Sequence, residues 1–265
     1  MARTVSRDGT TIAFDRLGEG QPLILVDGAL CSRAFGPMPA LAPLLARHFT
    51  VHLYDRRGRN ESGDTPPYAI EREIDDLQSM IDVAGGSAFV YGISSGAALA
   101  LEAARRGLQI TKLALYEAPF IVDASRPPQP PDFLAGLEDA VRSNQRSRAV
   151  KMFLQLVGVP TIATMVMPLI PAWSKLKAAA HTLPYDITIV TPNQQGRPLQ
   201  PDAYRSICVP TLVLDGGKSP AWIRNGMRAL ATVVPSAAYQ TIPGQTHNVN
   251  AAALAPALIA FFTRL

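Results

Sequence analysis

The sequence predicts an α/β protein: a mostly parallel, doubly wound sheet carrying a helical cap insertion. Three observations predict it. Short apolar runs of strand length alternate with amphipathic segments of helix length. The alternation lapses over residues 121–207 and then resumes. The 265 residues supply one large core without requiring a second independent domain. The core is therefore expected to comprise residues 1–120 and 208–265, with the cap at 121–207.

Residues 10–17 alternate well enough for an early antiparallel strand, and Gly18-Glu19-Gly20 turns the chain. Pro22-Leu23-Ile24-Leu25-Val26 is continuously apolar, the pattern of a strand covered on both faces, and stops at Asp27-Gly28. A helix over 37–47 and a strand over 49–54 complete a β-α-β unit. A helix from about Glu71 to Ala84, with Ile74, Leu77, Met80 and Ile81 on one face, leads through Gly85-Gly86 to the strand Ala88-Phe89-Val90-Tyr91. The Ala-rich stretch 97–104 is helix-forming, and Gly107 stops it before the strand 112–116. Pro127-Pro128-Gln129-Pro130-Pro131 opens the less periodic cap. Strand character returns at 209–214 and 238–242, with a helix between them and a final helix near 251–264.

Composition narrows the function classes. Hydrophobic residues at 48% and charged residues at 17% describe a globule, and the 23 prolines gather in loop-like stretches, so disorder is not expected. The net charge of +4 is scattered; the densest group, Arg56, Arg57 and Arg59, sits among Asp55, Glu61 and Asp64. We read this charge as solubility, with no nucleic-acid partner. Cys31 and Cys208 make no metal spacing, so no metal and no cofactor are expected. The N-terminus has no apolar signal core, and no run reaches the about 18 apolar residues of a membrane span, which points to a cytoplasmic chain without a membrane partner.

The chemistry gathers at strand ends. Gly92-Ile93-Ser94-Ser95-Gly96 is a G-x-S-x-G sequence placed directly after an apolar strand and directly before a helix. A Gly/Ser turn with an ordinary helix cap would share the letters but not require this context. There Ser94 is the candidate nucleophile, with the helix amides aimed at it. A hydroxyl nucleophile needs a base that titrates near neutrality, and His247, in the loop after the last strand, is the histidine so placed. His48 ends a helix, His52 lies inside a strand and His181 falls in the cap, all more consistent with structural roles.

Strand order, the Gly92–Gly96 turn and the late His247 together resemble the α/β-hydrolase superfamily over nearly the whole chain. Asp55-Arg56-Arg57-Gly58-Arg59-Asn60-Glu61-Ser62 resembles its D-x-R-G-x-G-x-S loop, with Asn60 for a usual glycine. Asp27-Gly28-Ala29-Leu30 stands where that family has His-Gly-x-x. The resemblance implies an α/β-hydrolase fold and an oxyanion hole made by the N–H of Ala29, or of Leu30, with that of Ser95.

The third member of such a site departs from the pattern. The family's acid usually follows the next-to-last strand, but Asp215-Gly216-Gly217-Lys218-Ser219 puts Ser219 there. Glu117, at the carboxyl end of strand 112–116, is the preferred substitute, a position similar to that used by one branch of the haloalkane dehalogenases. Asp215 is the alternative acid, and a site with no acid partner remains open. A dehalogenase is disfavoured because Ser94 replaces the aspartate nucleophile of that group.

For the substrate pocket the candidates are Leu30, Asp27 and the cap's Trp173, beneath an apolar roof whose residues are better explained by the cap's own packing and argue only weakly for an apolar substrate. The expected partner is a small-molecule substrate, with a homodimer left open. The first expectation is hydrolysis of a small carboxylic ester or lactone through an acyl-enzyme on Ser94. The alternatives are a non-hydrolytic, lyase-type enzyme of the same fold and a small-molecule binding protein.

Overall fold

The computed structural model describes residues 1–264. Eight strands form one sheet: β1 (Ala2–Val5), β2 (Thr11–Leu17), β3 (Pro22–Val26), β4 (Thr50–Tyr54), β5 (Ala88–Ile93), β6 (Ile110–Tyr116), β7 (Thr211–Gly216) and β8 (Ala237–Ile242), in the spatial order β1-β2-β4-β3-β5-β6-β7-β8. The pairs β1/β2 and β2/β4 are antiparallel and the rest are parallel. The expected antiparallel strand over 10–17 is β2; β1, not expected, pairs along it at the edge.

Apolar runs with both faces covered explain the parallel strands. In β3, Ile24 and Val26 face one core while Leu23 and Leu25 face the other. The first core is closed by α2 (Ile70–Val83), α3 (Ser95–Arg105) and α9 (Ala221–Val233) through Leu77, Met80, Leu99, Met227 and Leu230. The second is closed by α1 (Met38–Leu45) and α10 (Ala251–Thr263) through Leu41, Leu45, Leu254, Leu258 and Phe262. Each fully buried Leu, Ile or Met contributes about 1.5–3 kcal/mol from removal of its surface from water, so the two layers dominate the fold's stabilisation.

Between β6 and β7 the chain forms α4 (Phe133–Arg142), α5 (Arg146–Leu156), α6 (Thr161–Val166), α7 (Ala172–Ala179) and α8 (Leu183–Val190), with short 3-10 turns joining α6 to α7 and α7 to α8. These helices have their own apolar cluster, including Leu137, Val150, Trp173, Leu176, Leu183 and Ile187, and Leu30 of the core joins it.

Strand order reverses at β3. The chain moves from β3 to β4 on one side and then crosses back to β5 on the other. Ligands of doubly wound sheets bind beyond the carboxyl ends at such a switch point, here between the segments after β3 and β5. Those segments hold Asp27–Leu30 and Ser94.

Candidate active site at the carboxyl edge of the sheet

Ser94 sits on a strained turn, with φ 57° and ψ −127° between the end of β5 and the first residue of α3. The turn is possible because two positions lack a Cβ. A Cβ on Gly92 would lie 2.5 Å from the Gly96 carbonyl oxygen, and one on Gly96 would lie 2.3 Å from that of Val26. The Ser94 amide is anchored to the Tyr116 carbonyl at 2.9 Å, which ties the turn to the end of β6.

The segment after β3 comes up against this turn. A Cβ on Gly28 would be 3.0 Å from Ser94 Cβ, so the Gly28–Ala29 backbone runs alongside the hydroxyl-bearing residue. Among the described residues, neither the Ala29 nor the Ser95 amide donates to another protein group, which leaves both N–H groups available beside Ser94. Ser95 is the first residue of α3, where the helix ladder supplies no acceptor.

At the neighbouring strand ends a second cluster forms. Glu117, the residue after β6, adopts φ 47° and is wholly buried. Its Oε1 accepts hydrogen bonds from the Gly216 amide at 2.7 Å and from the Ser219 hydroxyl. Its Oε2 lies 2.8 Å from His247 Nδ1. A carboxylate only accepts, so Nδ1 carries the shared proton and Nε2 is left as the basic nitrogen. The His247 loop is itself held: the Tyr116 hydroxyl donates to the Thr246 carbonyl at 2.7 Å, and the Lys218 amide to the Gln245 carbonyl at 2.8 Å. The His247 side chain is 38% exposed, whereas that of Glu117 is 0% exposed, so the ring bridges a sealed carboxylate and open solvent. Among the described residues the Ser94 hydroxyl makes no hydrogen bond to His247, a link that in such sites commonly tightens only with substrate.

Asp215 is placed elsewhere. It accepts from the Tyr239 hydroxyl and has Arg224 Nε at 3.5 Å, so its carboxylate is engaged with β8 and α9 and is not hydrogen-bonded to His247. Ser219, standing at the sequence position usual for the acid, contributes a donor to Glu117 instead; that role depends on two segments about a hundred residues apart and has no local signal. The remaining histidines are elsewhere too: His52 is buried within β4 against Phe14, and His181 packs beside Gly58.

Two expectations are corrected. Asp27 does not line an open pocket: it is 2% exposed, its Oδ1 accepts from the Gly28 amide at 2.8 Å, and its Oδ2 is buried without a partner. Burial pushes its carboxyl up to about 7, against the opposing pull of the Gly28 N–H and the Arg59 charge. Leu30 and Trp173 share the cap's apolar cluster, at 5% and 4% exposure.

The arginines read as surface charge are the second correction. Arg56, Arg57 and Arg59 are each about 1% exposed. Arg57 forms a two-pronged pair with Asp76 at 2.7 and 2.8 Å and reaches Asp8. Arg56 grips Glu73 with two bonds of 2.7 and 2.8 Å, and Arg56 and Arg59 both reach Asp186 of α8 at 2.8 Å. The acids adjacent in sequence, Glu61 and Asp64, bind other groups, Arg33 and Tyr185.

Among the described residues no group of three or more His, Cys, Asp or Glu could hold a metal ion, and no helix is long and apolar enough to cross a membrane. An open cavity of about 830 Å³ lies on the cap, lined by residues including Arg146, Arg148, Ser174 and Lys177, none of which belongs to the Ser94 cluster.

Comparison with known proteins agrees with this architecture. An alpha/beta hydrolase from Sphaerobacter thermophilus is 50% identical, with 99% of this chain and 100% of that chain covered and a TM-score of 0.91. A thermophilic esterase from Thermogutta terrifontis, crystallised with malate, is 22% identical over 99% of this chain and 98% of that one, with a TM-score of 0.70. An enol-lactonase from Burkholderia xenovorans is 19% identical over 99% of this chain and 100% of that one, with a TM-score of 0.73. No curated protein sequence matches the chain significantly. The model of the alpha/beta hydrolase family matches residues 20–260, which takes in the turn at Ser94, Glu117, the helical insertion and His247. With that match and the 50% identical structure, the chain belongs to the alpha/beta hydrolase family.

Proposed function

We propose that this protein is a serine hydrolase that cleaves a small carboxylic ester or lactone through an acyl-enzyme on Ser94. One observation carries the reading: His247 Nδ1 at 2.8 Å from a buried, doubly hydrogen-bonded Glu117, along the same sheet edge that holds Ser94 on its strained turn. Glu117 fixes the ring's tautomer and balances its charge once protonated. His247 Nε2 takes the proton of Ser94 as the oxygen attacks the substrate carbonyl, and returns it to the leaving oxygen. The N–H groups of Ala29 and Ser95 receive the oxyanion. Water then attacks the acyl group, giving its proton to the same nitrogen, which passes it to the Ser94 oxygen as the acyl–oxygen bond breaks and the acid leaves.

The esterase and the enol-lactonase among the similar structures share a fold with this chain at identities too low to carry substrate, so the substrate class rests on side chains. The segment that runs beside Ser94 enters the cap's apolar cluster through Ala29 and Leu30, with Trp173, Leu176 and Leu183 packed behind them, which favours a small apolar acyl or ring group next to the hydroxyl. The test is incubation of folded protein with a fluorophosphonate probe and mass mapping of the adduct, alongside hydrolysis of p-nitrophenyl acetate and butyrate. A Ser94 adduct and turnover that Ser94→Ala lowers by at least about a thousandfold are expected. An unlabelled Ser94 in the folded chain would overturn the reading.

A further inference from the structure

We propose that Asp186, on helix α8 of the cap, is a positioning residue that sets the two oxyanion donors through Arg56, Arg59 and the Ser95 side chain. The inference rests on the serine-hydrolase reading above and extends it to a residue contributed by the insertion.

The Ala29 N–H shares a rigid, planar peptide with the Gly28 carbonyl, and in a trans peptide the two point in opposite directions. Whatever holds Gly28 O therefore aims Ala29 N–H. Arg59 Nη1 donates to Gly28 O, and the same guanidinium places Nη2 at 2.8 Å from both oxygens of Asp186. A charged donor on the carbonyl also polarises the amide, making its N–H a stronger donor on the far side. The peptide before it is held in the same way: Arg56 Nη1 lies 3.2 Å from Asp27 O and 2.8 Å from Asp186 Oδ1.

The second donor belongs to Ser95, and its side chain runs to the same carboxylate. Ser95 Oγ donates to Asp186 Oδ1 at 2.6 Å, with Arg56 Nη1 at 3.3 Å from that hydroxyl. Both residues that offer an N–H beside Ser94 are thus fastened, directly or through one guanidinium, to a single buried side chain from another part of the chain.

The charges require that side chain. Arg56 and Arg59 bring two buried positive charges, and Glu73 and Asp186 bring two negative ones. Burial opposes ionisation of Asp186, but Arg59 and Arg56 outweigh it and hold the carboxyl below the usual range. With Asp186 neutral, a guanidinium is left buried without its partner, and its grip on the Asp27 and Gly28 carbonyls is no longer fixed from behind. A cap that served only to roof the substrate would not place its carboxylate beneath the loop that bears the donors.

The experiment compares wild type with Asp186→Asn and Ser95→Ala on p-nitrophenyl butyrate, with circular dichroism to show that each variant is folded. The affinity of an aryl trifluoromethyl ketone, which forms an oxyanion on the enzyme, is measured in parallel. We expect kcat to fall about 10- to 100-fold in Asp186→Asn and about threefold or more in Ser95→Ala, with KM within about threefold of wild type. Ketone affinity should fall by the same factor as kcat/KM. A purely structural cap anchor predicts instead a raised KM with unchanged kcat and unchanged ketone affinity per folded molecule, and that result overturns the proposal. If Asp186→Asn does not fold, Ser95→Ala becomes the deciding variant, and an unchanged kcat there overturns the proposal. If wild type neither turns over ester nor labels at Ser94, the hydrolase reading falls on its own account.

Discussion

Glu117 and Asp27 are both carboxylates sealed at the carboxyl ends of strands, Glu117 after β6 and Asp27 after β3. Their surroundings treat them differently. Glu117 receives a backbone amide, a hydroxyl and an imidazole, so both of its oxygens are engaged. Asp27 receives one amide, while its other oxygen is buried without a partner. Burial pushes Asp27 toward the neutral acid, with a single amide opposing it on its own oxygens, whereas three donors converge on Glu117. The pair shows how one sheet edge can hold a carboxylate with both oxygens hydrogen-bonded and, two strands away, one with an oxygen left bare.

The largest effect expected from breaking this contrast is at Glu117. Glu117→Gln keeps the shape but gives the histidine a neutral neighbour, and its amide can force the wrong tautomer. We expect kcat for p-nitrophenyl esters to fall by about 10³- to 10⁴-fold, with KM little changed. Asp215→Asn should stay within a few-fold of wild type, because that carboxylate is engaged by Tyr239. Stopped-flow or steady-state assays of both variants check this, and the reverse ranking would transfer the role to Asp215.

How much of the fold and the site is legible in the sequence follows the range of each interaction. The strands β3 to β7 announce themselves because burial on both faces demands largely apolar runs, and α2 and α10 because one face repeats at helical spacing, whereas β8 is a half-exposed edge strand. Strand β1 does not: Ala2–Val5 is a mostly exposed edge whose pairing with β2, not its own pattern, makes it a strand. The Ser94 turn is written in five adjacent residues, so it reads directly. Glu117 is legible only from its place at a strand end, and its two donors are not legible at all, since Gly216 and Ser219 reach it from another strand's end. The arginines mislead for the same reason. Local acids suggest a solvated loop, whereas Glu73, Asp76 and Asp186, distant in sequence, take them into the interior. Asp27 is drawn into the pocket by analogy with a motif position, and only its burial and its orphan oxygen reveal that it lies beneath the loop.

An intermediate effect is expected at Asp27, on stability. Its folded carboxyl titrates near 7 against an ordinary 3.8, so between those values the folded state keeps a proton that the unfolded chain has released. Stability therefore falls as pH rises through that window, and above it the full cost is present. Asp27→Asn removes the titration. The variant should gain up to about 4 kcal/mol over wild type at pH 8, a smaller advantage at pH 5, and almost none near pH 3.5. Urea unfolding at the three pH values measures the gap; a gap that does not change with pH would mean that Asp27 does not carry the proton.

The smallest effect is expected at Ser219, and its size follows from what remains after the change. Ser219→Ala removes one of the two donors to Glu117 Oε1 but leaves the Gly216 amide at 2.7 Å and the imidazole on Oε2. A hydrogen bond to a charged acceptor contributes about 1.5–3 kcal/mol when its loss leaves the acceptor bare, and less when another donor persists. The site is 7% exposed, so water can replace part of the hydroxyl's contribution. We therefore expect kcat to fall about three- to tenfold at constant KM, far short of Glu117→Gln. A fall as deep as that of Glu117→Gln would show that the carboxylate's orientation depends on the hydroxyl more than on the backbone, and that the serine at the usual acid position had become as necessary as the acid it stands in for.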